Sequence, residues 1–230
     1  MKFAIMADIH ANFEAFQAVL EDSKEQGCSH YAFLGDYVGY CADPKACVDI
    51  VRAMNAPCVK GNHDEYCATD FPLGGFPPAA AKAVQWTRKQ LTEDDRQWLH
   101  NLPYVRTVEG FTIVHATLDG PQRWGYAFDG PAAAASFTYQ DTSVCFFGLT
   151  HVPLALIRDT IIRGGTFSVV TIQAGKQYFV NVGSVGQPRD NNPKAAYVIY
   201  DMDKATVELR RSTYDVAAAQ RKIREAGLGP

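Results

Sequence analysis

The chain has 230 residues, of which 47% are hydrophobic and 20% are charged. This composition is typical of a globular protein and excludes the collagen-like, disordered and low-complexity classes. The 22 lysines and arginines nearly balance the 25 aspartates and glutamates, for a net charge of −3 at pH 7. We therefore expect no stable nucleic-acid partner, although a nucleotide is admissible as a substrate.

No segment predicts a membrane span or a secretion signal. The longest apolar runs, residues 3–7 and 153–157, are far shorter than the ~18 residues that indicate a membrane span. Asp8 interrupts the first run too early for a signal peptide. The six cysteines show no CxxC spacing, so we expect reduced thiols that pack as small apolar residues. These patterns predict a cytoplasmic protein without membrane association, and they leave the oligomeric state open.

The first part of the chain predicts alternating strands and helices. Strands are expected at residues 3–7, 31–34 and 56–59, each of which ends at polar residues. Asn12 is expected to cap a helix that runs to about residue 23, and Asp43 with Pro44 to begin a second helix. The pattern is βαβαβ. Because no linker divides the sequence, we expect one domain over residues 1–230.

The remainder is predicted to be rich in strands. Two helices come first, one over residues 79–91 and one that begins at Thr92. Six strands and a final helix are expected after them, at residues 111–115, 143–148, 166–172, 178–182, 195–201, 206–211 and 216–226. We expect an α/β fold with a parallel-rich N-terminal half and an antiparallel-leaning C-terminal half.

Aspartate, histidine and asparagine residues repeatedly follow the predicted strands. They form the motifs Asp8-Ile9-His10, Gly35-Asp36 and Gly61-Asn62-His63-Asp64, followed by His115 and then by Gly148-Leu149-Thr150-His151. Loops beyond the carboxyl ends of strands converge in α/β sheets, so these residues can share one pocket. Carboxylate, imidazole and amide ligands without a thiolate suit Mn, Fe, Zn, Ni or Mg. Asp-x-His or Gly-Asp alone is a common turn, whereas Gly-Asn-His-Asp is rarely met by chance, and together the five motifs favour a metal site.

These motifs resemble the signature of the calcineurin-like metallophosphoesterases. That signature is Asp-x-His, Gly-Asp, Gly-Asn-His-Asp/Glu, a lone His and Gly-His-x-His, in this order. Residues 35–47 and 181–189 look like the small bacterial and archaeal phosphodiesterases of the superfamily. Gly39-Tyr40 stands where Ser/Thr protein phosphatases have Asp-Arg. The resemblance implies a four-layer α/β/β/α sandwich of two mixed β-sheets, with the metals at the sheet ends.

The resemblance also implies roles for the motif residues. It places one divalent metal on Asp8, His10, Asp36 and His151, and a second on Asp36, Asn62 and His115. A metal-bound hydroxide would attack phosphorus, and His63 would be a catalytic imidazole that is not a ligand. Leu149 stands where the first histidine of Gly-His-x-His would be, so we expect the second site to be the weaker one.

The expected function is metal-dependent hydrolysis of a small phosphorylated or nucleotide substrate, with a phosphodiester as the first choice. Phosphomonoesterase or protein phosphatase activity and dinucleoside polyphosphate hydrolysis stay open as alternatives. A further alternative is a non-catalytic metal- or nucleotide-binding scaffold, against which the presence of His63 argues. We expect the loop with Arg123, Trp124 and Tyr126 to shape the substrate pocket. Arg189 is a candidate for the substrate phosphate, and Asp64 either orients His63 or binds loop amides.

Overall fold

A computed structural model describes residues 1–229 of the chain and contains eleven β-strands in this part. In chain order they are β1 (Lys2–Met6), β2 (His30–Phe33), β3 (Val105–Val108), β4 (Phe111–Val114), β5 (Val144–Phe147), β6 (Leu154–Arg158), β7 (Ile162–Gly165), β8 (Val169–Thr171), β9 (Gln177–Asn181), β10 (Ala195–Asp201) and β11 (Thr206–Ser212). A hairpin joins the last two strands, which pair antiparallel.

Seven α-helices accompany the strands within residues 1–229. They are α1 (Phe13–Glu25), α2 (Pro44–Met54), α3 (Asn62–Ala68), α4 (Pro78–Gln90), α5 (Glu93–Asn101), α6 (Gly130–Tyr139) and α7 (Val216–Glu225). Helix α1 begins after Asn12, whose side chain accepts a hydrogen bond from the Ala15 amide at 3.1 Å. None of these helices is both long enough and apolar enough to span a bilayer.

The strands form two mixed sheets that face each other. One has the order β2-β1-β10-β11-β8 and the other the order β3-β4-β5-β9-β6-β7. The side chains of β1 alternate, so that Phe3 and Ile5 join the apolar cluster between the sheets, whereas Ala4 and Met6 pack towards α1 and α2. Helix α6 covers the second sheet through its apolar cluster with β5 and β9. The four-layer α/β/β/α prediction is confirmed.

Several elements differ from the expected ones. The strand expected at residues 56–59 is a single bridge between Phe33 and Cys58, because Pro57 has no amide hydrogen to donate. Strands β3, β6 and β7 and helices α3 and α6 have no counterpart in the prediction. Parallel pairs are not confined to the N-terminal half, since β4–β5 and β5–β9 are parallel as well.

The arrangement of the strands fixes where the polar motifs lie. Asp8 follows β1, and Asp36 follows the parallel neighbour β2. His115 follows β4, and His151 comes four residues after the end of the parallel neighbour β5. The carboxyl ends of these four strands therefore meet along one edge of the sandwich.

Candidate metal site

The structure brings the predicted ligands together in one buried cluster. The Nε2 atom of His151 lies 3.1 Å from Asp8 Oδ1. Asp36 Oδ2 lies 3.5 Å from His10 Nε2 and 3.4 Å from His115 Nε2. Asn62 Oδ1 lies 3.1 Å from His115 Nε2. All seven predicted site residues, including His63, thus share this edge of the sandwich.

Three of the histidines are oriented by backbone carbonyl groups. The Nδ1 atom of His10 donates to Val38 O at 3.1 Å, that of His115 to Leu34 O at 2.7 Å, and that of His151 to Gln187 O at 2.6 Å. A donor at Nδ1 leaves the Nε2 lone pair available in the neutral ring. This is the usual arrangement of metal-binding histidines, and in each case Nε2 faces the carboxylates.

His63 is held differently. Its Nδ1 atom is buried and has no hydrogen-bond partner within residues 1–229. The ring packs edge-on to His10, with centroids 4.9 Å apart, and lies 4.5 Å from the Tyr40 ring. A Cβ atom on Gly39 would overlap His63 Nδ1, so only glycine leaves room for this ring position. No backbone carbonyl fixes the tautomer of His63, in contrast to the other three histidines.

The backbone of the site is unusual. Asp8, His10, Asp36 and His151 have φ angles of 55°, 49°, 55° and 60°, in the left-handed region that non-glycine residues rarely adopt. Hydrogen bonds from His10 N to Asp36 O at 2.9 Å and from Asp8 N to Gly35 O at 3.0 Å stabilise these turns. Such backbone conformations cluster at functional sites, where the surrounding structure compensates their cost of ~1–3 kcal/mol each.

Asp64 binds loop amides. Its carboxylate accepts hydrogen bonds from the amides of Asp36 at 2.7 Å, Tyr37 at 2.9 Å and Gly61 at 2.9 Å. It therefore joins the loop after β2 to the start of α3. No hydrogen bond connects Asp64 to the His63 side chain among the described residues, which decides between the two roles expected from the sequence.

Residues 181–184 hydrogen-bond to the loops that carry Asp8 and His151, a role that the motif analysis did not assign. Asn181 Nδ2 donates to Gly148 O at 2.6 Å and to Thr150 Oγ1 at 3.0 Å. Ser184 Oγ donates to Asp8 O at 2.8 Å. A polar residue at the end of an apolar strand is the signal by which Asn181 could have been found, because the other site residues share it.

The cluster is buried and contains two carboxylates, those of Asp8 and Asp36. Burial lowers the pKa of His10 and that of His63, and the Asp36 carboxylate opposes the shift in both. Burial also opposes charge on His115, but Asp36 and Asp8 outweigh it and raise the pKa of His115 to about 9. The same imidazoles, acting against burial, hold the pKa of Asp36 below its ordinary value. A buried carboxylate in such surroundings requires a positive partner.

The donor set fits divalent cations. Asp8 Oδ1 is buried without a hydrogen-bond partner within residues 1–229. Three groups of side chains each place their ligand atoms within 4.8 Å of one another, namely Asp8, His10 and His151, then His10, Asp36 and His63, and finally Asp8, Asp36 and His115. An orphaned carboxylate oxygen that faces imidazole nitrogens is a site for a cation.

Comparisons with known proteins agree with this geometry. Residues 1–205 match the calcineurin-like phosphoesterase superfamily domain. The chain is 34% identical over 226 residues to the uncharacterized protein MJ0912 of Methanocaldococcus jannaschii, which covers 96% of this chain and 90% of that protein. The crystal structure of a metallophosphoesterase from Sphaerobacter thermophilus has a TM-score of 0.87 and 36% identity, and it covers 100% of this chain and 95% of that one. The hypothetical protein PH1004 of Pyrococcus horikoshii shares the fold, with a TM-score of 0.80 and 19% identity over 99% and 94% of the two chains.

The fold and the family match together define a class, the metal-dependent hydrolases of phosphoester bonds. Within this class, the chain belongs to the calcineurin-like phosphoesterase superfamily. The resemblance inferred from the five motifs is confirmed.

Proposed function

We propose that this chain is a phosphodiesterase that acts on small phosphorylated molecules or nucleotides with two divalent cations. The observation that carries the proposal is the buried set of carboxylate–imidazole contacts, with distances from 3.1 to 3.9 Å. Two cations held by such a set, when bound, activate water and neutralise charge on the phosphoryl group. The metal identity stays open among Mn, Fe, Zn, Ni and Mg, and a cytoplasmic location stays a prediction.

Asp36 is proposed as the shared ligand. Its Oδ2 atom is nearly equidistant from His10 and His115, at 3.5 and 3.4 Å. One ligand set would be Asp8, His10, Asp36 and His151, and the other would be Asp36, Asn62 and His115. This division into two sets that share Asp36 is physically reasonable, because a carboxylate between two nearby cations reduces their repulsion.

His63 is proposed to donate a proton to the leaving oxygen of the substrate. It lies in the cluster, 4.9 Å from His10 between ring centroids, yet lacks the carbonyl partner that the three ligand histidines have. A ring that is not engaged by a backbone acceptor can exchange a proton with substrate. The Tyr40 ring at 4.5 Å and the close Gly39 backbone hold it in place.

The second ligand set is proposed to bind the weaker metal. Asn62 supplies a neutral oxygen, and Leu149 supplies no ligand atom. Leu149 is only 4% exposed, and its backbone amide donates to Asp8 Oδ2 at 3.1 Å. The Leu149 side chain is therefore buried beside the site, and as an aliphatic group it has no lone pair to offer a metal.

Hydrolysis of bis(p-nitrophenyl) phosphate tests the proposed function. The protein is stripped with a chelator and assayed with and without Mn²⁺, with p-nitrophenyl phosphate as the monoester comparison. We expect turnover only with metal, a preference for the diester, and a loss of more than about 100-fold in Asp36→Asn. Turnover that persists without metal, or a preference for the monoester, would contradict the proposal.

A further inference from the structure

The loop of residues 116–129, between β4 and α6, carries an aromatic side chain to the metal site. The Trp124 ring lies edge-on to His115, with centroids 5.9 Å apart, and it also packs against the Tyr104 ring, with centroids 5.6 Å apart. Trp124 is half-buried and has a φ of 54°, in the left-handed region. A bulky residue rarely adopts this conformation, so the surrounding loop must hold Trp124 against the histidine.

The loop is held by contacts near its start. Leu118 N donates to Ser136 Oγ at 3.0 Å, and Ser136 Oγ donates to Asp119 Oδ1 at 3.1 Å, which ties the loop to α6. A Cβ atom on Gly125 would lie 2.8 Å from Thr117 Oγ1, so two parts of the loop are in close contact. Trp124 is therefore positioned before any ligand binds, which lowers the entropy cost of binding.

Two further aromatic side chains extend this surface outward. The rings of Tyr126 and Phe128 are stacked, 5.9 Å apart at 14°, and their side chains are 55% and 56% exposed. Tyr126 lies two residues after Trp124 in the same loop. We call Trp124, Tyr126 and Phe128 the aromatic rim.

A positive charge also lies beside the metal site. The Arg189 guanidinium lies 5.8 Å from the Tyr40 ring centroid, and its Nη2 atom donates to Gln187 Oε1 at 2.7 Å. Exposed aromatic rings beside a phosphoryl site suit a ligand that has both a planar face and an anionic group. A nucleotide has this chemistry, because one sugar separates its base from its phosphate.

We propose that the aromatic rim binds the base of a nucleoside phosphodiester whose phosphorus lies at the metal site. Trp124 provides the inner stacking surface beside His115, and Tyr126 and Phe128 provide the outer one. The inference rests on the proposed phosphodiesterase function and makes Trp124 a specificity-determining residue. Esters of aliphatic alcohols offer no planar face to the rim and are poorer substrates.

A pair of substrates with one leaving group tests this specificity. Thymidine 5′-(p-nitrophenyl phosphate) and methyl p-nitrophenyl phosphate both release p-nitrophenol, so they differ only in the group retained. We expect kcat/KM of the Mn²⁺-loaded enzyme to be about tenfold or more higher for the thymidine ester, from the stacking of one base. Trp124→Ala should reduce this ratio about tenfold, chiefly through KM, whereas Trp124→Phe should preserve most of it.

Matched variants and a binding readout keep the result interpretable. Tyr139→Ala, an exposed aromatic position on α6, is expected to leave the ratio unchanged. Tyr126→Ala and Phe128→Ala test the outer rim at exposed positions if Trp124→Ala does not fold. Thymidine 5′-monophosphate should quench the tryptophan fluorescence of the wild type but not of Trp124→Phe, and inorganic phosphate should quench neither.

The outcomes separate the two proposals. If the Mn²⁺-loaded wild type hydrolyses neither ester, the proposed function fails. If it hydrolyses both with equal kcat/KM, or if Trp124→Ala lowers both to the same extent, the base-binding role of the rim is overturned while the hydrolytic function stands.

Discussion

His63 differs from the other three histidines of the site in the contacts of its ring. His10, His115 and His151 each donate Nδ1 to a carbonyl oxygen, whereas His63 Nδ1 has no partner in the described part of the chain. The four residues look alike in the sequence. The distinction lies in the backbone around each ring, and here only the family resemblance anticipated it.

His63→Ala is expected to lower kcat by roughly 10²–10⁴-fold and to leave the metal content unchanged, because the ring is proposed to transfer a proton and not to bind metal. The deficit should shrink for esters with good leaving groups, which need little protonation. Gly39→Ala is the matched variant, since its Cβ would displace the His63 ring without removing it. Loss of metal in His63→Ala, measured by elemental analysis, would show that His63 is a ligand.

The left-handed backbone of the site residues could not be predicted from the sequence. Asp8 and Asp36 tolerate positive φ, but His10 and His151 adopt it only because neighbouring loops supply hydrogen-bond partners. Those partners lie in loops that are distant in the sequence. Motif spacing therefore predicted which residues meet, but not how each side chain is oriented.

At the scale of elements, the Asp22 carboxylate links α1 to strands β10 and β11 of the first sheet. Asp22 of α1 accepts hydrogen bonds from the Tyr197 hydroxyl at 2.6 Å and from Arg210 Nη2 at 2.8 Å. Burial raises the pKa of Asp22, but the hydrogen bonds from Arg210 and Tyr197 outweigh it and lower the pKa below its ordinary value. The carboxylate charge therefore stabilises the packing of α1 on β10 and β11.

Asp22→Asn is expected to lower the free energy of unfolding by about 1 kcal/mol at pH 7, a value discounted for partial exposure. Because the folded-state pKa is depressed, this contribution is present above the unfolded pKa of about 3.9 and is lost as the pH falls through the folded value. Urea unfolding of both proteins at pH 7 and near pH 3 measures it. Asp70→Asn, at an exposed ion pair with Arg96, is the control and should have far less effect.

A difference between wild type and Asp22→Asn that is as large near pH 3 as at pH 7 would show that the carboxylate charge is not the cause. The loss of stability would then come from the packing of α1 and not from the charge of Asp22.

The elements that the sequence predicted are those with strong local signals. Asn12 and the Pro44 position marked the starts of α1 and α2, and the apolar runs of β1, β2 and β10 were found within a residue or two. The hairpin of β6 and β7 was missed because two adjacent glycines, Gly164 and Gly165, hide its strand character. Helix α3 was missed because a glycine and a metal-site motif at its start are typical of a loop.

At the scale of the whole molecule, the two facing sheets create the site. The loops after β1 and β2 of one sheet supply Asp8 and Asp36, and those after β4 and β5 of the other supply His115 and His151. Each proposed ligand set therefore draws on both sheets. The pairing of the sheets was implied by the family resemblance, since periodicity alone does not determine how two sheets pack. That residues 1–230 form one domain stays a prediction.

Anomalous X-ray scattering from crystals of the Mn²⁺-loaded protein tests the central claim most directly. We predict a strong peak in contact with Asp8, His10 and His151 and a weaker one in contact with Asn62 and His115, with Asp36 touching both. In Leu149→His the weaker peak should strengthen, because the new imidazole adds a ligand. An absence of peaks from this cluster, or two peaks of which neither contacts Asp36, would contradict the account.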